Sequence, residues 1–564
     1  MSLPKRSSQS DYSLDPAEST HDPQRIRAVR LDVCLANWGK HFQTSGGAAQ
    51  CNAADFDLSQ VVDFIDDFLS HDWKTSRFDK FLALIWTYNF RAAMFASAIV
   101  SCLVGVLRIY FPGNHWWPVC FGYLAFAFTL CFWQRMRSCC CKPPKVFLDR
   151  LCIPQDDEIL KRQGILGLPS FLHHSERLII LWSEQWISRL WCLFELATFL
   201  RKNSSGTSIQ LVPVKMGRVL LLLILCWVGI AFCHAVMLDV MNPQFQTSGN
   251  DENLPQVRQR LFEFYLLVFS LFGVAVMLTL PSLMFLGQVT FKELAELPVQ
   301  LKSFRVQDCK CFCCTNSHRD PRTGETLPCD RMLVHRMLAK WFSASDDKED
   351  DLSYLNSFNT VVRDELSLVM SSAGGGTLRF KDALYAAGGC TFPWISDFIP
   401  WWANSELTGL SFLVWFLRGF MLWSYNGLVM IITMRFCIIL WKVSLGFLHR
   451  VPMLVLVVSQ AAALLVVVLC VWLPFRWWYV TTDDQSLLLV IPYFTAIVFT
   501  LCLFRCHCGA LQFHSPRSEP AASPIGNPDI LPEVSSGQEI AEPEVFADSP
   551  HSSWTKGDIF TETF

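Results

Sequence analysis

Asp66-Asp67-Phe68-Leu69-Ser70-His71-Asp72-Trp73 has a short apolar core closed by polar residues, the pattern of a buried strand that runs into a loop at its carboxyl end. Val146-Phe147-Leu148-Asp149 and Arg177-Leu178-Ile179-Ile180-Leu181-Trp182-Ser183 repeat it. Between the first stretch and the second lie two apolar runs, residues 92–107 and 116–133, separated by a turn at Pro112-Gly113. Each run is near the lower length limit for crossing a bilayer, and a hairpin of either the spanning or the re-entrant kind returns the chain to the side it left. The strands on either side are therefore expected to form one domain, residues 60–90 plus 142–215, interrupted by a membrane hairpin at residues 91–134.

Within that domain the pattern predicts strands at 63–70, 146–149, 178–183 and 209–214, with helices at 78–88, 156–174 and 190–201. Strands that are apolar throughout and alternate with helices imply a parallel sheet covered on both faces. Polar residues at the carboxyl ends of such strands meet in one crevice. Ser70, His71, Asp72, Asp149 and Ser183 are expected there, beside the helix that carries Glu195.

The rest of the chain reads as membrane. Over 564 residues, 52% are hydrophobic and only 17% charged, and long apolar runs recur at 219–289, as a pair of spans, and at 407–504. Residues 451–473 and 487–504 read as single spans. Residues 407–447 are either one long helix or a tight pair broken at Ser424-Tyr425-Asn426-Gly427. The pair gives eight crossings and a cytosolic tail, and is preferred because Arg505, Cys506 and Cys508 suit the cytosolic face; the single helix gives seven and an external tail. Arg418, inside this block, reads as a snorkelling or loop residue, with an ion path as the alternative.

No filter sequence or acidic ring supports a pore. Forty-seven basic against 50 acidic side chains, a net charge of -3, offer no basic surface for nucleic acid. The segment 1–55 lacks a signal-peptide apolar region and is expected to be cytosolic and mostly disordered, as is the Pro-, Ser- and Glu-rich tail 512–564. Residues 291–405 read as a cytosolic helical region, with helices over 329–342 and 352–370. Gly374-Gly375-Gly376 lacks the Lys-Ser/Thr ending of a phosphate loop and reads as a turn.

Twenty-three cysteines include three clusters next to apolar runs: Cys139, Cys140 and Cys141; Cys309, Cys311, Cys313 and Cys314; Cys506 and Cys508. Thiols at a membrane surface are expected to be S-acylated, pinning their loops to lipid. The middle group with Cys329 or His318 offers zinc ligands, but Cys-x-Cys-x-Cys-Cys is not a pair of knuckles, and no metal site is assigned.

The first strand block, Phe147-Leu148-Asp149, Ser175 to Ser183, and above all Trp191-Cys192-Leu193-Phe194-Glu195-Leu196 resemble the Toll/interleukin-receptor (TIR) family. The inserted hairpin and Leu151-Cys152-Ile153-Pro154-Gln155 after the second strand depart from its pattern. The resemblance implies a multispanning α-helical membrane protein with a cytosolic α/β, flavodoxin-like parallel-sheet domain that signals through homotypic association. Some members of that family cleave NAD, and by resemblance Glu195 matches their glutamate. A carboxylate there would hydrogen-bond a ribose hydroxyl and stabilise cationic character as the nicotinamide bond breaks. His71, Asp72 and Arg150 would contact the ribose or pyrophosphate, and Trp182 or Trp186 would pack against a base. Taken as ordinary residues, Glu195 pairs with Arg189, His71 and Asp72 cap the first helix, and Trp191 and Cys192 fill the core. Alternatives to signalling are a channel or transporter regulated by this domain, and a non-catalytic membrane scaffold.

Overall fold

Six strands form one sheet: β1 (Arg27–Arg30), β2 (Gln60–Val61), β3 (Ile65–His71), β4 (Lys145–Phe147), β5 (Ser175–Trp182) and β6 (Ile209–Pro213), in the order β2-β1-β4-β3-β5-β6. They are seen in a computed structural model that describes residues 26–43, 53–111, 116–155, 158–202, 208–246, 254–319, 324, 326–327, 329–342, 353–372, 380–483 and 485–505. β4, β3, β5 and β6 are mutually parallel, with Asp67 opposite Val146 and Leu69 opposite Ile179. Numbered along the chain, these four expected strands lie in the spatial order 2-1-3-4. The buried side chains Phe68, Leu69, Val146, Phe147 and Leu178 to Leu181 explain why they read as unbroken apolar runs.

β1 and β2 were not expected. β1 pairs antiparallel with β4, so the sheet is mixed, and residues 26–43 are folded where the sequence suggested disorder. Ile26, Ala28, Val29, Leu31, Cys34 and Leu35 are buried, but Arg27 and Arg30 break up the apolar pattern that would have announced them. Residues 1–25, the Pro112-Gly113 turn, the Gly374 turn, Cys506, Cys508 and the 512–564 tail lie outside the described residues.

The main helices are α1 (Arg77–Tyr88), α2 (Phe90–Tyr110), α3 (Trp117–Cys140), α4 (Glu158–Leu166), α5 (Leu168–His173), α6 (Leu190–Lys202), α7 (Met216–Gln246), α8 (Leu254–Lys302), α9 (Asp330–Phe342), α10 (Ser353–Ser372), α11 (Phe380–Asp397), α12 (Gly409–Leu445), α13 (Met453–Thr481) and α14 (Val490–Arg505). Among the described residues, five helices are long and apolar enough to cross a membrane: Phe90–Tyr110, Trp117–Cys140, Gly409–Leu445, Met453–Tyr479 and Leu487–Arg505. The two runs expected within 219–289 fall in α7 and α8. The chain is a multipass membrane protein carrying an α/β sheet domain.

Sheet and bundle are joined without a linker. Ser76 caps α1, accepting from the Phe78 amide, and α1 passes into α2 through the single residue Asn89. Asn89 is fully buried; its Nδ2 donates to the Leu130 carbonyl at 2.8 Å and its Oδ1 accepts from Gln134 at 2.7 Å. Trp86 donates to the Gly217 carbonyl, Arg218 pairs with Asp79 and Lys215 with Glu293, fastening α7 and α8 to the same end.

One expectation about the membrane block needs correction. Residues 407–447 form the single helix α12, about 55 Å long at 1.5 Å per residue. Ser424-Tyr425-Asn426-Gly427 does not break it because each residue is used in packing. Ser424 bonds the Phe420 carbonyl and Tyr493, Tyr425 stacks on Phe475 at 3.8 Å, Asn426 accepts from Trp472, and Gly427 admits Thr391. α11 falls in the region read by sequence as cytosolic helices. It lies along α2 and α3: Tyr385 meets Phe90 at one end, Asp397 pairs with Arg108 at the other, and a Cβ on Gly105 would stand 2.5 Å from the Ser396 carbonyl. Small residues permit this approach.

Arg418 neither snorkels nor sits in a loop. It is buried, and its guanidinium donates to the carbonyls of Tyr479, Thr482 and Ser486, covering the end of α13. At the opposite end Arg435 donates to the Leu503 carbonyl, and Trp441 to that of Met284 on α8. Since α8 reaches Lys215 through Glu293, α14 ends on the side that carries the sheet.

Candidate functional site

The carboxyl end of β3 delivers Ser70, His71 and Asp72 to a buried polar cluster. Asp72 accepts from the amides of Lys74 and Thr75, both at 2.9 Å, and from the hydroxyls of Thr75 and Ser183, both at 2.5 Å. Burial pushes its carboxyl up, but the hydrogen bonds from Ser183 and Thr75 and the nearby Lys80 charge outweigh it and leave Asp72 below its usual range. The capping expectation is thus half met: Asp72 shapes the turn before α1, while Ser76 caps the helix itself.

Lys80 is the residue that sequence reading missed. It is 0% exposed on the inner face of α1, and its Nζ donates to the Asp72 carbonyl at 2.5 Å. Burial lowers its pKa to about 8 against the opposing charges of Asp72 and Asp149. The available signal was a lone lysine inside the apolar face Phe81, Leu84, Ile85. His71 sits edge-on to Phe42, and burial, helped by Lys80, lowers it to about 4, so its ring is neutral.

Glu195 arrives from α6, one turn in, next to Ser70, whose hydroxyl accepts from Trp186 Nε1 at 3.0 Å. The residue keeps a little surface, but its Oε2 is sealed and has no hydrogen-bond partner. Burial pushes its carboxyl up to about 8, with Ser70 opposing, so at neutral pH it is chiefly the acid. Arg189 lowers it only through its charge; no ion pair joins the two.

The expected constellation comes together in part. Ser70, Asp72, Ser183 and Glu195 share the cluster, and the Cys192 thiol donates to the His71 carbonyl at 3.5 Å. Asp149 joins through Trp73, whose indole donates to it at 2.8 Å and bridges the loops after β3 and β4. Arg150 turns elsewhere, to the Gln43 carbonyl at 2.6 Å and to Asp55. Trp182 and Trp186 are buried in the core, so neither offers a face to a base. They are large apolar residues at a strand end and before a helix, and packing claimed them. Chemically the cluster pairs a carboxylate with a neutral acid and a weakened amine, a combination able to hold or pass a proton.

The cysteines also sort by burial. Cys139, Cys140 and Cys141 are exposed at the end of α3, as acylation requires. Cys309, Cys311 and Cys313 are buried and Cys314 half-buried, so the expectation of acylation fails for this group: a sealed thiol offers no nucleophile. Cys313, Cys314, His318 and Cys329, among the zinc-ligand candidates of the sequence, bring their donor atoms within 4.8 Å of one another.

Protein-family models, curated proteins and solved structures give no match to this chain.

Proposed function

We propose that this chain is a membrane-anchored signalling protein whose cytosolic, TIR-like sheet domain acts by associating with copies of itself under control of the helix bundle. The spatial order 2-1-3-4 of its parallel strands is that of flavodoxin-like sheets, and the Trp-Cys-x-x-Glu-Leu helix lies beside their carboxyl ends. The observation that carries the control element is the Asn89 joint. With α1 and α2 continuous and their junction tied to α3, a tilt of the hairpin must move α1, the helix that carries Lys80 into the polar cluster. Copies of the full chain labelled with donor or acceptor dyes and co-reconstituted in liposomes should show energy transfer above that of random collision. Transfer that falls to the random level at every protein-to-lipid ratio refutes association.

Glycosidic cleavage of NAD is a second reading, favoured by the Glu195 carboxyl beside Ser70. The sealed Oε2 requires the crevice to open before a ribose hydroxyl reaches it, and opening to water would return the carboxyl toward its ionised form. Full-length protein in nanodiscs should then release nicotinamide, and Glu195→Gln should abolish release. Equal background from both proteins removes this reading and leaves association intact.

A further inference from the structure

We propose that Cys313, Cys314, His318 and Cys329 form a structural zinc site that clamps residues 309–319 and the start of α9 onto the loop leading into the Glu195 helix. Cys314 Sγ lies 3.8 Å from Cys329 Sγ and 3.6 Å from His318 Nε2. A tetrahedral zinc with bonds of about 2.3 Å to sulfur and about 2.05 Å to nitrogen requires ligand separations of about 3.8 and about 3.6 Å. These two separations already match, and all four donor atoms lie within 4.8 Å of one another.

The backbone is bent to achieve this. Ser317 and His318 are consecutive non-glycine residues in the left-handed region, at φ 53 and 58, turned back by hydrogen bonds from their amides to the Cys314 and Cys313 carbonyls. Such residues persist where the surroundings over-determine them, and a metal bond to His318 does so. The Asp330 amide donates to Cys313 Sγ at 3.2 Å, the outer-sphere contact that supports a thiolate. Binding one Zn2+ by three thiolates and a neutral imidazole displaces three thiol protons and leaves one negative charge, against which Arg331 lies. Cys311, 3.5 Å from Cys313, stays outside the set as a neighbouring thiol.

The clamp reaches the sheet domain through backbone. Lys310 N donates to the Ser188 carbonyl at 2.7 Å, and Leu190 N returns the bond to Lys310. Trp191 Nε1, at the start of α6, donates to Asp330. A metal at this site therefore fixes the entry of the helix that delivers Glu195.

The test uses the full chain purified in detergent under reducing conditions, with metal measured by plasma mass spectrometry. One zinc per chain is expected, retained in Cys139→Ser and Cys311→Ser and lost in Cys329→Ser and His318→Ala. Should those variants fold poorly, exchange of the unaltered protein with Co2+ should give thiolate-to-cobalt charge transfer and intense tetrahedral bands. Metal removal should speed hydrogen exchange at residues 186–195. Overturning results are a reduced wild-type chain with neither zinc nor cobalt–thiolate bands, a Cys314–Cys329 disulfide in protein isolated with blocked thiols, or zinc that survives both ligand substitutions.

Discussion

Replacing Glu195 by Gln isolates one proton. In the folded chain the carboxyl titrates at about 8, against 4.5 for the free side chain. Between those values the unfolded state has lost a proton that the native state keeps, so native stability falls as pH rises, by about 1.4 kcal/mol per pH unit. The loss begins near pH 4.5 and is complete near pH 8. Glutamine occupies the same volume beside Ser70 and cannot ionise; any cost from its amide is independent of pH and leaves the slope unchanged. From pH 5.5 to 7.5 the wild type should therefore lose about 2.7 kcal/mol relative to Glu195→Gln, and its melting temperature should fall relative to that of the variant. The assay is thermal unfolding of both full-length proteins in nanodiscs at the two pH values, followed by tryptophan fluorescence. All other titrating groups are common to the pair and cancel. Melting curves that shift in parallel with pH, or a wild type that gains on the variant as pH rises, would refute the sealed-acid description of Glu195.

Gly287→Ala would place a Cβ 2.0 Å from the Trp441 ring, a clash expected to cost about 1–3 kcal/mol and lower the detergent melting temperature; an unchanged temperature contradicts the α8–α12 contact. Arg418→Leu strips three carbonyls at the end of α13 of their donor and should cost about 1–3 kcal/mol, read by thermal aggregation in detergent; equal midpoints would count against the cap. Acyl-exchange labelling should report Cys139, Cys140 or Cys141 and leave Cys309, Cys311 and Cys313 unmodified; acyl groups on the latter three contradict their burial. A tag in the sheet domain and a tag at Gln485 should be accessible from opposite sides of the membrane; one sidedness for both contradicts the crossing of α13.

What could be read beforehand depended on whether the signal was local. β3 and β5 each carry a short buried apolar run, Phe68-Leu69 and Leu178 to Trp182, so their apolar content alone exposed them. β1 was hidden because four residues with two arginines carry no period, and its burial arises from a pairing with β4 more than a hundred residues away. Asp67 gave no warning either: it is a fully buried carboxylate in mid-strand, tolerated because Arg177 and Tyr88 reach it from β5 and α1. The packing of α11 against α2 and α3 was hidden for a related reason. Its Ala-Ala-Gly-Gly centre lowers hydropathy while allowing close helix contact, and hydropathy was the only measure the sequence offered. In the candidate site, Glu195 and Asp72 were found by motif and position. Lys80 and the His318–Cys329 convergence depend on side chains turned inward by folding, which no spacing rule records.

The place of the hairpin in the sheet has a bearing on biosynthesis. β3 lies between β4 and β5, yet both neighbours are made only after α2 and α3 have emerged. Until then β3 is an apolar strand with two open edges, a state prone to aggregation. Its partners reach it only if the hairpin has turned back across the bilayer. A hairpin inserted once rather than twice would put β4, β5 and β6 on the far side and leave the sheet unclosed. Closure of the sheet thus works as a checkpoint on membrane insertion, and a chaperone that retains unpaired strands would hold back mis-inserted chains without inspecting the membrane at all.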